Sequence, residues 1–214
     1  MFAAIMLLAT GCTEKEKVDN DWVDLGLPSG LLWATRNVGA SSPEDYGDYF
    51  AWGETQPQEV YSWSTYRYCN GDYYELTKYC DNSDYGYNGF TDNLTMLQPS
   101  DDADTANWGG CARTPTEAEW DELIRHTTSQ WTTRNGVNGM LLTSTNGNSL
   151  FLPAAGGRGF SSLYYAGSRG NYWSSSLFTG YPYHALPFYF DSVRQYVIGY
   201  YRNYGYTVRA VRQN

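Results

Sequence analysis

Histidine and cysteine are the scarce residues of this chain, with two His and four Cys in 214 positions. So small a supply leaves a zinc or haem site poorly provisioned. No Gly-x-Ser-x-Gly elbow, Gly-x-x-x-x-Gly-Lys loop or His-Glu-x-x-His string occurs, which removes the commonest sequence signals for hydrolases, nucleotide binding and metalloproteases. The glycine-rich string Gly156-Gly157-Arg158-Gly159 lacks the order of a phosphate loop and reads as a tight turn. A hydrolytic triad would need His126 or His184 beside a nucleophile and a carboxylate. His126 falls instead at a helix C-terminus, where an imidazole favours the helix dipole. Basic residues are also few: 14 Lys and Arg stand against 23 Asp and Glu, and the net charge of -9 argues against nucleic acid as a partner. The composition excludes a collagen, a coiled coil, a membrane bundle and a disulfide-dense miniprotein.

Aromatic side chains are what the sequence has in excess: 21 Tyr, 8 Trp and 8 Phe. With 42% hydrophobic residues the chain is too apolar for disorder, and its length suits one domain. No Pro-rich or Ser-rich linker divides it. Charge is unevenly spread, at -14 over residues 1–150 and +5 over residues 151–214.

The chain opens with an apolar run, Phe2 to Ala9, too short for a bilayer span of about 20 residues. It fits the apolar region of a secretory signal over residues 1–11. Ala9-Thr10-Gly11-Cys12 resembles a bacterial lipobox, in which Cys12 would be lipidated and become the first mature residue. Residues 12–21 read as a solvated tether, and residues 22–214 as the folded domain. The charged start Thr13-Glu14-Lys15-Glu16-Lys17 resembles the surface-export signal of lipoproteins in some Gram-negative gut anaerobes. Apart from Cys12, three cysteines remain, so Cys69, Cys80 and Cys111 form at most one disulfide among themselves. A Cys69–Cys80 pair would close a loop; the spacing does not establish it.

Trp22 to Gly26 and Leu31 to Thr35 read as two short strands around the turn Pro28-Ser29-Gly30. Ser42-Pro43-Glu44-Asp45 reads as a helix start. The Tyr, Asn, Asp and Gly-rich stretch 61–93 predicts a long irregular loop carried by a rigid scaffold. The clearest helix runs from Thr114 to Ile124. Thr114 is its expected cap, Pro115 its first residue and Glu117 the other half of a capping box. Trp120, Leu123 and Ile124 form its buried stripe. Met140 to Thr145 and Ser149 to Leu152 flank Asn146-Gly147-Asn148, a strong hairpin signal. Further strands are expected at Tyr172 to Ser176, Leu186 to Phe190 and Tyr206 to Arg212. Helices early and strands late predict an α+β fold with two or so helices, short antiparallel strands and long irregular loops.

Carboxylates cluster at Asp101, Asp102 and Asp104, and at Asp81 and Asp84. Asp81-Asn82-Ser83-Asp84-Tyr85-Gly86 superficially resembles a calcium loop, with Tyr85 in a ligand position. Ser100-Asp101-Asp102 reads more simply as a capped helix start. A structural calcium stays open, without a named ligand set; no other cofactor is expected.

The informative segment is 178–206, which holds eleven aromatics, eight of them Tyr, and no Lys, Glu, Met or Trp. Such a mixture is that of an antibody paratope: Tyr supplies broad rigid contact at low entropy cost, while Ser, Gly and Asn adapt their hydrogen bonds. Period two sends Leu186, Phe188 and Phe190 to the core and Pro187, Tyr189 and Asp191 outward. Eight tyrosines exceed what a core accepts, because each buried hydroxyl needs a partner.

Several strings occur together: Asp24-Leu25-Gly26-Leu27-Pro28-Ser29-Gly30-Leu31-Leu32-Trp33-Ala34, Arg113-Thr114-Pro115-Thr116-Glu117-Ala118-Glu119-Trp120, Phe151-Leu152-Pro153-Ala154-Ala155-Gly156, Tyr172-Trp173-Ser174-Ser175-Ser176 and Gly205-Tyr206-Thr207-Val208-Arg209-Ala210-Val211-Arg212. Jointly they resemble the Fibrobacter succinogenes major paralogous domain, common in secreted lipoproteins of gut bacteria, from about Trp22 to Arg212. That resemblance implies a C-type-lectin-like fold related to formylglycine-generating enzyme. The enzyme's late cysteines have no counterpart after Cys111, and neither Glu-Pro-Asn nor Gln-Pro-Asp is present for calcium-dependent sugar binding.

The stretch 172–212 also resembles the variable region of proteins diversified by retroelements. There, Asn codons altered only at adenines cannot yield Trp, Met, Lys, Glu or Gln. Segment 178–206 lacks the first four, and Gln195 would be fixed or arise from another codon. Tyr172, Trp173, Phe188 and Phe190 would hold the scaffold. The candidate contact set is Phe178, Gly180, Tyr181, Tyr183, His184, Tyr189, Asp191, Arg194, Tyr196, Ile198, Tyr200 and Tyr201. The expected protein is a non-catalytic, adhesin-like or receptor-like lipoprotein on the outer membrane, surface exposed through its lipid anchor. Its ligand would be a protein or glycan on another cell or phage, and nucleic acid is not expected. An enzyme of the formylglycine-generating branch, or a thiol-dependent one using Cys69, Cys80 or Cys111, is the alternative, and a structural domain of a surface assembly is a third.

Overall fold

In the computed structural model, residues 21–214 are described. The signal segment, Cys12 and nearly all of the tether lie outside the described residues. Among the described residues the fold is α+β, with two α-helices and many short antiparallel strands in several sheets.

The two ends of the described chain meet in one sheet. Strand β1 (Trp22–Asp24) pairs with β2 (Leu32–Ala34), and β2 pairs on its other edge with the last strand, β12 (Val211–Arg212). The turn expected at Pro28-Ser29-Gly30 closes with Gly30 N–H donating to the Leu27 carbonyl. The start expected at Ser42-Pro43 is a turn and not a helix. There Asp45 accepts from the backbone and hydroxyl of Ser41, so the carboxylate stabilises the local turn and no helix follows.

The mid-chain helices begin where side-chain carboxylates and hydroxyls satisfy free N–H groups. Asp102 caps α1 (Ala103–Trp108), accepting from Asp104 N–H and Thr105 N–H. Helix α2 (Glu117–His126) starts two residues later than the sequence predicts. Its cap is Thr116, and the capping box is formed with Glu119, not Glu117. The reason is tertiary. Thr114 is occupied elsewhere, its N–H and hydroxyl donating to Asp102 at 2.9 and 2.7 Å and its hydroxyl also reaching Asp104 at 3.0 Å. The buried stripe is as expected: Trp120 and Leu123 are fully enclosed and Ile124 packs at the edge. Each enclosed side chain contributes about 1.5–3 kcal/mol by burial.

After α2 the chain runs straight into β3 (Thr127–Arg134), which the sequence did not mark because Thr, Ser and Gln give it no apolar alternation. It forms through eight-residue pairing with β4 (Val137–Ser144). Strand β4 then pairs with β5 (Ser149–Pro153) around the expected Asn-Gly turn. A small hairpin follows, β6 (Gly157–Gly159) and β7 (Ser162–Tyr164).

The central pair is β8 (Gly170–Leu177) with β9 (His184–Phe190). Successive residues of β8 serve two different cores. Tyr172 joins Trp33, Trp120, Phe188 and Phe190, while Trp173 joins Trp52, Tyr61, Tyr66, Tyr79 and Tyr206. Gly170 is required at the head of β8, since a Cβ there would meet the Phe190 ring at 2.1 Å. Strands β10 (Gln195–Val197) and β11 (Tyr200–Tyr201) both pair with the far edge of β9. Pro187, expected to face outward, is buried, because the register sets it opposite Trp173. The strand expected over Tyr206 to Arg212 is confined to Val211–Arg212. Before that the chain threads between sheets, bonding in turn to Phe50, Trp173 and Ala34.

Seven tyrosines lie in the interior, Tyr206 among them. Most have hydroxyl partners: Tyr49 donates to the Ala155 carbonyl, Tyr66 to the Trp52 carbonyl and Tyr172 to the Pro153 carbonyl, at 2.6, 2.7 and 2.8 Å. The abundant tyrosine thus divides between a hydrogen-bonded core and a surface. The long loop 61–93 has no strand and only two short 3-10 turns, as its composition predicts. It is held from the tail by Arg202, fully buried, which donates to the carbonyls of Tyr79 at 2.8 Å and Lys78 at 2.7 Å.

Candidate binding surface

None of the twelve candidate contact residues is buried. Phe178, Gly180, Tyr181, Arg194, Ile198, Tyr200 and Tyr201 are exposed, and Tyr183, His184, Tyr189, Asp191 and Tyr196 are half-buried. The four residues expected to hold the scaffold, Tyr172, Trp173, Phe188 and Phe190, are enclosed.

The set forms two patches, because strand β9 separates its members. His184 begins β9 and Asp191 follows its last residue, a distance of roughly 20 Å along an extended strand. The first patch lies on the β8–β9 connection and β11. Phe178, Tyr181 and His184 close a tight loop through the bonds Tyr181 N–H to Phe178 O, His184 N–H to Tyr181 O and Phe178 N–H to His184 O. Gly180 turns the chain at φ +83°, where a side chain would be strained. Strand pairing sets Tyr201 beside His184 and Tyr200 beside Ala185. The rings then meet in sequence: Tyr183 to His184 at 4.4 Å, His184 to Tyr201 at 4.7 Å, and Phe178 to Tyr181 at 5.8 Å. Ile198 sits between the patches, exposed.

The second patch is the β9–β10 turn. Tyr189 and Tyr196 are cross-strand partners and stack at 4.9 Å. Asp191 organises the turn, accepting from Val193 N–H and Arg194 N–H at 2.8 Å each, from the Tyr189 hydroxyl at 2.8 Å and from Arg194 at 3.3 Å. Those donors, led by the Val193 N–H, lower its carboxyl pKa to about 2. Burial and the adjacent carboxylate together push the Tyr189 hydroxyl up to about 12.

Sequence reasoning missed one side of the first patch. Tyr73, Tyr74 and Tyr85, from the irregular loop, close a ring of four with Tyr183: centroids lie 3.9 Å apart for Tyr73–Tyr74, 5.6 Å for Tyr74–Tyr85, 4.8 Å for Tyr85–Tyr183 and 5.3 Å for Tyr73–Tyr183. Trp63 extends it, 6.2 Å from Tyr201. The signal available in the sequence was the Tyr density of 61–93 itself. Asp81 and Asn82, from the calcium-like string, join the loops directly. Asp81 accepts from Gly180 N–H at 2.7 Å and Asn82 donates to the Gly180 carbonyl at 3.3 Å. Among the described residues no group of three or more His, Cys, Asp or Glu comes together to hold a metal.

The electrostatics differ from the charge count. Of the tail's six arginines, Arg202 and Arg209 are fully buried, and Arg194, exposed, is paired with Asp191. The +5 of residues 151–214 is therefore not spread over one wide face, and Arg158 and Arg169 stay half-exposed outside any ion pair with a described carboxylate. Burial lowers the pKa of His184, which favours the neutral imidazole in the first patch. Cys69 and Cys80 are free thiols, so the loop-closing pair between them is not formed. Burial raises both thiol pKa values, which disfavours the reactive thiolate. His126 is the last residue of α2, exposed.

No protein-family model, no curated protein and no solved structure matches the chain.

Proposed function

We propose that this chain is a non-catalytic, surface-anchored ligand-binding protein with a C-type-lectin-like fold, and that its Tyr-rich face is a changeable paratope. The observation that carries the reading is the division of roles within one segment. Tyr172, Trp173, Phe188 and Phe190, expected to hold the scaffold, are enclosed, and the twelve candidate contact residues lie outside the core. A stable interior tolerates exchange at the exposed members of the set, because exposed substitutions cost little stability, whereas Gly180 at positive φ and Asp191 in its turn are constrained by the backbone. The rings of the first patch supply rigid amphipathic contact of the kind that dominates binding hot spots. The second patch, on the β9–β10 turn, provides a separate contact area. Anchorage on an outer membrane through Cys12, and diversification by a retroelement, belong to the same proposal. The ligand is a protein or a glycan carried by another cell or a phage. The raised pKa values of Cys69 and Cys80 give no support to a thiol-dependent enzyme.

The test uses a ligand enriched on immobilised protein from bacterial surface extracts or phage particles. Replacing Tyr181, Tyr183, Tyr196 and Tyr200 together by Ala should abolish its capture, while Tm falls by less than about 4 °C. Capture that survives, or a collapse of Tm, overturns the reading. A near-copy of the 172–212 coding stretch, differing only at adenines and lying beside a reverse transcriptase gene, would establish the diversification; its absence would remove that part.

A further inference from the structure

We propose that the β6–β7 hairpin is a membrane-contacting tip, seated on a bilayer surface that carries anionic headgroups. The inference does not depend on the ligand of the tyrosine face. Residues 160–166 are exposed without a break, and none is charged. Within them Phe160, Leu163, Tyr164 and Tyr165 expose 66, 41, 46 and 57% of their surface. Four exposed apolar side chains gathered on one hairpin tip mark an interaction site.

The tip is held outward by a rigid base. Phe160 and Tyr61 exchange backbone hydrogen bonds at 2.8 and 2.9 Å, and Arg158 and Gly205 do so at 2.7 and 2.9 Å. Gly159 lies so close to the Tyr204 ring that a Cβ would stand 2.7 Å from it. On this base Phe160 and Tyr165 adopt φ of +51° and +59°, a region that aromatic residues rarely enter. Such conformations persist where the surroundings over-determine them, and they cluster at functional sites.

Charge selects the partner. Between Glu122 and Asp191 the chain has no Asp or Glu, although it has 23 in all. Arg158 and Arg169 flank the tip, half-exposed, and neither forms an ion pair with a described carboxylate. Arg169 lies 3.7 Å over the Tyr165 ring. Phe and Leu enter the acyl boundary, Tyr sits at headgroup depth, and Arg reaches phosphate with its stem over apolar surface. An anionic bilayer supplies phosphates at any register, whereas a protein partner would need carboxylates matched to both guanidiniums. Glu59, exposed two residues before Tyr61, opposes the attraction.

Amide hydrogen exchange of the full chain tests this with vesicles of phosphatidylcholine containing about 30% phosphatidylglycerol. A readout at residues 160–166 separates the hairpin from any contact made by the N-terminal residues. Exchange there should slow at least about threefold with these vesicles, and less with phosphatidylcholine alone. The double variant Phe160→Ser, Leu163→Ser should lose the protection, Arg158→Gln with Arg169→Gln should lose the preference for anionic lipid, and Glu59→Gln should strengthen it. Unchanged exchange at 160–166 while the chain sediments with vesicles would overturn the inference. Protection confined to 178–184, or arising only when a protein partner is added, would do the same.

Discussion

The ring of Tyr183 packs 4.8 Å from that of Tyr85, and through this contact the tail's β8–β9 loop meets the irregular loop of residues 61–93. The two are 98 residues apart in the chain. One side of the first patch therefore comes from outside the segment whose composition marks it.

Coupling between the two loops follows from that contact. Tyr85→Ala and Tyr183→Ala should each cost at least the energy of their contact, and the two losses should not add. A double-mutant cycle on urea unfolding should show an interaction of about 0.5–1.5 kcal/mol, the usual range for an aromatic pair. Strict additivity would mean that the rings do not meet in solution.

Arg202 is the opposite kind of residue. It is fully buried, donates to the Tyr79 and Lys78 carbonyls, and lies over the Tyr66 ring at 5.3 Å. Arg202→Met leaves these carbonyls without their donor and should lower stability by about 2–4 kcal/mol. Tyr181→Ala, at an exposed position of the same tail, should cost less than about 0.5 kcal/mol. Chemical denaturation of both variants separates scaffold from surface.

Asp104 sets a pH dependence. It is fully buried, and burial, reinforced by neighbouring Asp102, raises its carboxyl pKa well above 3.8. The folded state then holds this proton to higher pH than the unfolded state does. Its contribution to stability is present at low pH and falls as pH rises from about 4 through the folded pKa. Asp104→Asn keeps a neutral group in place, so its Tm profile should lose this component and be flatter above pH 4 than that of the parent. An unchanged profile would place the titration elsewhere.

Asp191 acts in the other direction. Its pKa is lowered to about 2 from 3.8, so its contribution is present above about pH 4 and is lost between pH 4 and 2. Asp191→Asn weakens the bonds to Val193 N–H, Arg194 N–H and the Tyr189 hydroxyl. It should cost about 1 kcal/mol at pH 7 and speed amide exchange at Val193 and Arg194. No change in exchange there would show the turn to be held by its strands alone.

The sequence by itself determined whatever depends on neighbours along the chain. The stripe Trp120–Leu123–Ile124, the Asn146-Gly147 hairpin turn, the strand pair around Pro28-Ser29-Gly30 and the inward face of Leu186, Phe188 and Phe190 were all legible, because period and turn chemistry are local. The tyrosine-rich composition likewise marked a tail segment whose candidate residues lie outside the core. Tertiary structure alone decided the rest. Thr114 lost the helix cap because Asp102 and Asp104 bind it, and β3 formed because β4 lay alongside. Long-range pairing also set Tyr85 against Tyr183, placed the two patches at opposite ends of β9, and drew Arg202 and Arg209 inside, so that the tail shows fewer surface cations than its charge count implies. Contacts between residues a hundred positions apart depend on how loops close over a packed core, and no short-range pattern encodes that closure.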